Sequence, residues 1–191
     1  DGERYVLGMR NSGAEQTGAF ILDALGIDYA NKFNLAYMGY GASASALQDG
    51  NIVGMNVPAG APVTSITQAY AQLAGRMRVL NFSQQEMDAV NAQYPLWDFY
   101  DLAPGTYPYQ DEVVTTASSP NVFVVRDDVP EEIVYQLTRL LWDNLATLQE
   151  IHSATKQMSI EDALKGNPIP LHPGALRYYQ ERQIDIPDHL F

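Results

Sequence analysis

Gly8-Met9-Arg10-Asn11-Ser12-Gly13-Ala14-Glu15 is the stretch of this chain best equipped for ligand chemistry, because it joins an expected strand, Arg4 to Leu7, to a segment with layered helix signals. Ser12 and Glu15 have the spacing in which a hydroxyl accepts a first-turn N–H and the glutamate reaches back. Ala19, Ile21, Leu22 and Leu25 supply apolar faces, and Gly26 closes the far end. The spacing predicts a helix from about Gly13 to Leu25. Its first turn has N–H groups without intrahelical acceptors, and a carboxylate placed there gains about 0.3–1 kcal/mol from the helix dipole. Two readings stand side by side: a site for an anionic ligand, or two residues that satisfy their own helix end.

Other motifs fall short of catalysis. Gly8 to Gly13 has the glycine spacing of a phosphate-binding loop, but Ala14-Glu15 stand where that loop needs Lys and Ser or Thr. Gly41-Ala42-Ser43-Ala44-Ser45 matches a nucleophile elbow only in part, with Ser where the second glycine belongs. His152, His172 and His189 lack metal-ligand spacing and read as surface or capping residues. Asp111-Glu112 and Asp127-Asp128 lack the ligand alternation of a calcium loop and read as solvated turns. Asn81-Phe82-Ser83 matches a glycosylation acceptor but overlaps an expected strand. No cofactor or metal is expected.

The elements that would position these residues follow an α/β rhythm of strand, Gly-containing turn, helix and glycine stop. Further strands are expected at Asn34–Met38, Ile52–Val57 and Arg78–Phe82. Helices are expected from about Ser43 to Gln48, from Pro62 to Gly75 with Ile66, Ala69, Tyr70 and Leu73 on one face, and from the Ser83/Glu86 capping box to about Gln93. Beyond Tyr94 prolines punctuate aromatic residues and the β-branched run Val113–Thr116, which suggests extended crossing segments. A strand at Asn121–Arg126 leads into the longest helix, carrying Ile133, Leu137, Leu140, Leu141, Leu145 and Leu148. A short helix at Ser159–Leu164 and a last one at Ala175–Arg182 complete the chain. The Gly- and Pro-rich loops Gly8–Ala14, Gly39–Ser43 and Pro58–Pro62 then gather at strand C-terminal ends, where open α/β sheets form their ligand crevice. Small residues with Tyr40 and Tyr107 suit a small polar organic ligand.

Composition limits the partners. With 191 residues, 46% of them hydrophobic, the chain can bury one large core or two small ones. A formal charge of −12, with only three lysines and no dense basic cluster, argues against nucleic acid. No apolar run approaches the roughly 20 residues that span a bilayer, so a soluble chain is expected. The absence of cysteine excludes thiol catalysis, disulfides and cysteine-held metals.

Four passages make the chain recognisable: Gly8 to Glu15 with Ile21–Gly26; Ala46-Leu47-Gln48-Asp49-Gly50-Asn51-Ile52; Gly105-Thr106-Tyr107-Pro108 with Val113–Thr116; and Ile169 to Tyr179. In this order they resemble the TAXI family of solute-binding receptors of TRAP (tripartite ATP-independent periplasmic) transporters. Ala14 stands where that family usually has Thr. The resemblance implies an α/β, type II periplasmic-binding-protein-like fold, present here as one lobe plus crossing-back C-terminal segments. Residues 1–103 would form the second lobe and 104–191 the crossover strands and helices, the first lobe being absent or on another polypeptide. It also implies a non-enzymatic, periplasmic or otherwise extracytoplasmic receptor that hands a small carboxylate, glutamate-like or dicarboxylate, to TRAP membrane permease subunits. The expected ligand-binding residues are Asn11, Ser12, Gly13, Ala14 and Glu15, with further contacts at Gly60 and Tyr107; Glu15 fits an anion only if it turns into the cap or meets an amino group on the ligand. Surfaces left by the missing lobe would favour self-association. A small-metabolite enzyme or a sensory or scaffold module using the same crevice are the alternative readings.

Overall fold

Strand β1 (Arg4–Gly8) runs between β2 (Asn34–Tyr37) and β3 (Gly54–Met55) in a three-stranded parallel sheet of order β2-β1-β3. A central parallel strand is covered on both faces, which is why Val6 and Leu7 are consecutive, apolar and buried. The register with β2 slips after Val6, so that Gly8, not Leu7, faces Tyr37. The computed structural model describes residues 2–191, apart from the side chain of Ser153. The chain falls into two units, Asp1–Ser118 and Ser119–Phe191.

In the first unit, helix α1 (Gly13–Ala24) follows β1, α2 (Tyr29–Lys32) precedes β2, and α3 (Tyr40–Gln48) follows β2. Helix α4 (Thr64–Leu73) follows β3, and α5 (Gln84–Asn91) comes next. All four residues assigned to the buried face of α4, Ile66, Ala69, Tyr70 and Leu73, are buried. Pro62 stands before that helix, after a cis peptide bond, and Val63 is the N-cap. The capping box of α5 is complete: Ser83 Oγ accepts the Glu86 N–H, and Glu86 Oε2 accepts the Ser83 N–H at 2.7 Å. Strands β4 (Asp98–Leu102) and β5 (Val114–Ser118) pair antiparallel. Val6, Ala36 and Ile52 centre one core cluster, and Ile66, Tyr70, Leu102 and Tyr107 another.

Five expected elements differ, the long helix described below among them. The strand at Ile52–Val57 shrinks to Gly54–Met55, the two residues that face Tyr5 and Val6. Arg78–Phe82 makes one backbone bond to β5, Phe82 N–H to the Thr115 carbonyl, and the Asn81 side chain takes the Thr115 N–H that a ladder would have used. Asn121–Arg126 forms no strand; Val122, Phe123 and Val124 are exposed, and β-propensity without a neighbouring strand leaves the backbone unpaired. Ser159–Leu164 is a turn, in which Ser159 Oγ accepts the Asp162 N–H as in a helix start, but Gly166 at φ +69° and Pro168 follow at once.

The second unit is built on α6 (Glu131–Asp143), α7 (Leu145–Ile151) and α8 (Pro173–Glu181). The long helix expected through Leu148 breaks at Asn144, whose side-chain amide donates to the Leu140 carbonyl at 2.8 Å and competes with the helical ladder. Helices α6 and α8 touch backbone to backbone at Gly174, where a Cβ would lie 2.2 Å from the Glu131 carbonyl oxygen. His172 caps α8 by accepting the Gly174 N–H at Nδ1, which leaves its Nε2–H to donate to the Val129 carbonyl at 3.0 Å. Arg177 pairs with Glu131 and Glu132 at 2.7 Å each and lies over the Tyr135 ring.

Candidate functional site

The order β2-β1-β3 reverses direction on either side of β1, and in open α/β sheets the loops that leave the strands' C-terminal ends at such a reversal, here those after β1 and β3, are where a ligand crevice forms. Gly8 starts the first loop at φ +129°, and a Cβ there would sit 2.6 Å from Ala14 Cβ, so only glycine brings α1 this close to the strand end. Asn11 follows in the left-handed region at φ +59°. Ser12 is the N-cap: its hydroxyl donates to the Met9 carbonyl at 2.6 Å and accepts the Glu15 N–H at 3.3 Å. Glu15 reaches one residue past the expected capping partner and takes the Asn11 N–H. Its carboxylate is thus turned into the cap.

Gly13 and Ala14 differ from these neighbours. Among the described residues neither backbone N–H has a protein acceptor, as expected of first-turn donors. Gly13 is exposed and a Cβ on it would meet nothing within 4 Å, whereas Ala14 is buried.

The Asn56 side-chain amide donates to the Ala14 carbonyl at 2.7 Å, tying the segment after β3 to α1. Arg10 lies over the Tyr37 ring, 3.9 Å from its centroid, and puts a cation on the loop after β1. The Tyr40 hydroxyl donates to the Pro58 carbonyl at 3.1 Å, linking the loops after β2 and β3; partial burial raises its pKa. Gly60 is exposed in the Pro58–Val63 loop. Tyr107 is 4% exposed, its ring stacks on Tyr70 at 5.1 Å, and its oxygen accepts the Val63 N–H at 3.2 Å. Burial pushes the Tyr107 hydroxyl pKa up, against the lowering effect of the Val63 bond.

Sequence reasoning missed Arg10 and Asn56. The signals were a base inside the Gly8–Glu15 stretch of an acid-rich chain, and an amide inside an otherwise apolar strand. Ser43 has none of the surroundings of a nucleophile: it is buried and its hydroxyl donates to the Gly39 carbonyl at 2.9 Å. Asp128 is paired with Arg126. Each histidine ring meets a backbone group: His152 the Ala154 N–H, His172 those named above, and His189 the Asn167 carbonyl.

A small parallel sheet with glycine-rich loops over the ends of its strands, backed by helices, is consistent with a lobe of the periplasmic-binding-protein-like class. Residues 1–182 match the NMT1-like family, and the chain belongs to it. That family is related to periplasmic solute-binding proteins, in line with the coarse part of the expectation, a protein of the solute-binding kind. Among the described residues no helix is long and apolar enough to cross a membrane.

Proposed function

We propose that this chain is the solute-binding part of a TRAP transporter of the TAXI kind, working outside the cytoplasm and delivering a small carboxylate, glutamate-like or dicarboxylate, to an ion-gradient-driven permease. The observation that carries this reading is the pair of free N–H groups on Gly13 and Ala14, set where the sheet order opens a crevice. A carboxylate there receives two backbone donors and lies on the loop that carries Arg10. The Asn11 side-chain amide adds a contact, and Ser12 holds the turn. With Glu15 turned onto the Asn11 N–H, its charge is partly offset, and it remains close enough to favour a solute with an ammonium group, as glutamate has. Gly60 brings backbone from the opposite loop. The solute is held and not transformed, since the one serine with an elbow-like sequence is buried and engaged.

In this reading the uncovered apolar residues of α6, Ile133, Leu137, Leu140 and Leu141, meet a second copy of the chain. Calorimetric titration with glutamate, succinate and glutamine, on this chain and on a longer form that includes any preceding lobe, tests the function. Saturable binding of glutamate or succinate, weakened when a side-chain carboxylate is replaced by the amide of glutamine, supports it. No binding by either form, or turnover of the solute, overturns it.

A further inference from the structure

The Pro58–Val63 loop is strung between two tyrosine hydroxyls, with Gly60 exposed between them. At one end the Tyr40 hydroxyl donates to the Pro58 carbonyl, and at the other the Tyr107 oxygen accepts the Val63 N–H. Tyr107 comes from a distant loop built with unusual care. Gln110, 6% exposed, spends its whole side-chain amide there: Oε1 accepts the Tyr107 N–H, and Nε2 donates to the carbonyls of Leu102, Ala103 and Glu112. Tyr109 holds φ +63°, a left-handed conformation that side-chain-bearing residues adopt only under strain. A buried amide and a left-handed tyrosine are expensive ways to make a surface turn. Their common result is that the Tyr107 ring lies flat on Tyr70, 4° from parallel, with its oxygen at the start of α4.

We infer that Tyr107 is a positioning residue for the solute crevice: it does not reach the solute itself but fixes the loop that presents Gly60. This rests on the solute-binding reading above. Tyr70 supplies a matched comparison. It is equally buried, and its oxygen accepts the Val79 N–H at 2.9 Å, so the bond it makes holds the segment after α4 and not the Pro58–Val63 loop. Tyr107→Phe and Tyr70→Phe therefore each remove one phenol-to-backbone bond and keep the ring stack, and only the first frees the Gly60 loop.

The test measures both variants by solute titration, with glutamate or succinate as bound by the unaltered chain, and by amide hydrogen exchange. Tyr107→Phe should weaken binding about three- to tenfold, the equivalent of one net hydrogen bond, and speed exchange at Gly60 and Val63. Tyr70→Phe should lose comparable thermal stability with unchanged affinity. Equal weakening in both, or none in Tyr107→Phe, overturns the inference. If the unaltered chain binds neither probe, the solute reading fails by itself, and the exchange measurement alone decides this one: unchanged exchange at Gly60 in Tyr107→Phe refutes it. Should Tyr107→Phe not fold, Tyr40→Phe releases the other end of the same loop from an accessible position, and the same two readouts apply.

Discussion

The Asn56 amide holds the Ala14 carbonyl at 2.7 Å, and Gly18, one helical turn further on, makes the room for it. A Cβ at position 18 would lie 2.8 Å from Asn56 Nδ2 and 3.1 Å from Leu7 Cδ2. Asn56→Ala should cost about 0.5–1.5 kcal/mol by losing that bond. Gly18→Ala should cost about 1–3 kcal/mol through overpacking, although alanine is the better helix former by about 1 kcal/mol. Urea denaturation measures both, and a stabilised Gly18→Ala would contradict the packing described.

Gly8 and Gly13 bracket the same loop with opposite requirements. Gly8→Ala meets a positive φ and a 2.6 Å contact with Ala14 Cβ, so a loss of more than about 2 kcal/mol is expected. Gly13→Ala meets open space and should stay within about 0.5 kcal/mol of the parent. Thermal unfolding of the pair separates the two, and similar midpoints would show that the loop relaxes freely.

Much of the first unit was legible because each signal was local. The Ser12 and Ser83 caps, the apolar face of α4 and the strand–loop–helix order depend on neighbours a few residues apart. What failed depended on distant partners. Asn121–Arg126 had strand composition but no strand to pair with, and Arg78–Phe82 met an Asn81 side chain where a ladder bond was due. The helix after Pro130 was broken by one asparagine amide that periodicity does not weigh. In the site, spacing found the helix start but not Arg10 over Tyr37 or the reach of Asn56 across the sheet. The last passage of the resemblance, Ile169 to Tyr179, is architectural: His172 caps, Gly174 allows close packing, and Tyr178 and Tyr179 fill a core.

Acid should loosen α5 through its cap. Hydrogen bonds from the Ser83 N–H and hydroxyl hold the Glu86 carboxyl below its ordinary value of 4.5. A pKa depressed in the folded state adds stability that is complete above the unfolded value and lost as pH falls through the folded one. Ser83→Ala should therefore cost about 0.5–2 kcal/mol near neutral pH through the lost cap, and less below about pH 4. Chemical denaturation across that range checks it, and a pH-independent difference would contradict the coupling.

Leu137, Leu140 and Leu141 stand exposed on α6 beside Ile133. Covering each leucine in a second copy would contribute up to about 1.5–3 kcal/mol. Sedimentation should show concentration-dependent association that Leu137→Gln with Leu140→Gln abolishes. A monomer at every concentration would leave this face without the partner proposed.

Carboxylate capture at the start of α1 is tested most directly by following the backbone amide resonances of the isotope-labelled chain during titration with glutamate or succinate. The Gly13 and Ala14 signals should move furthest and saturate together, while glutamine moves them less. Saturable shifts centred elsewhere, or no shift at Gly13 and Ala14 when calorimetry reports binding, would contradict it.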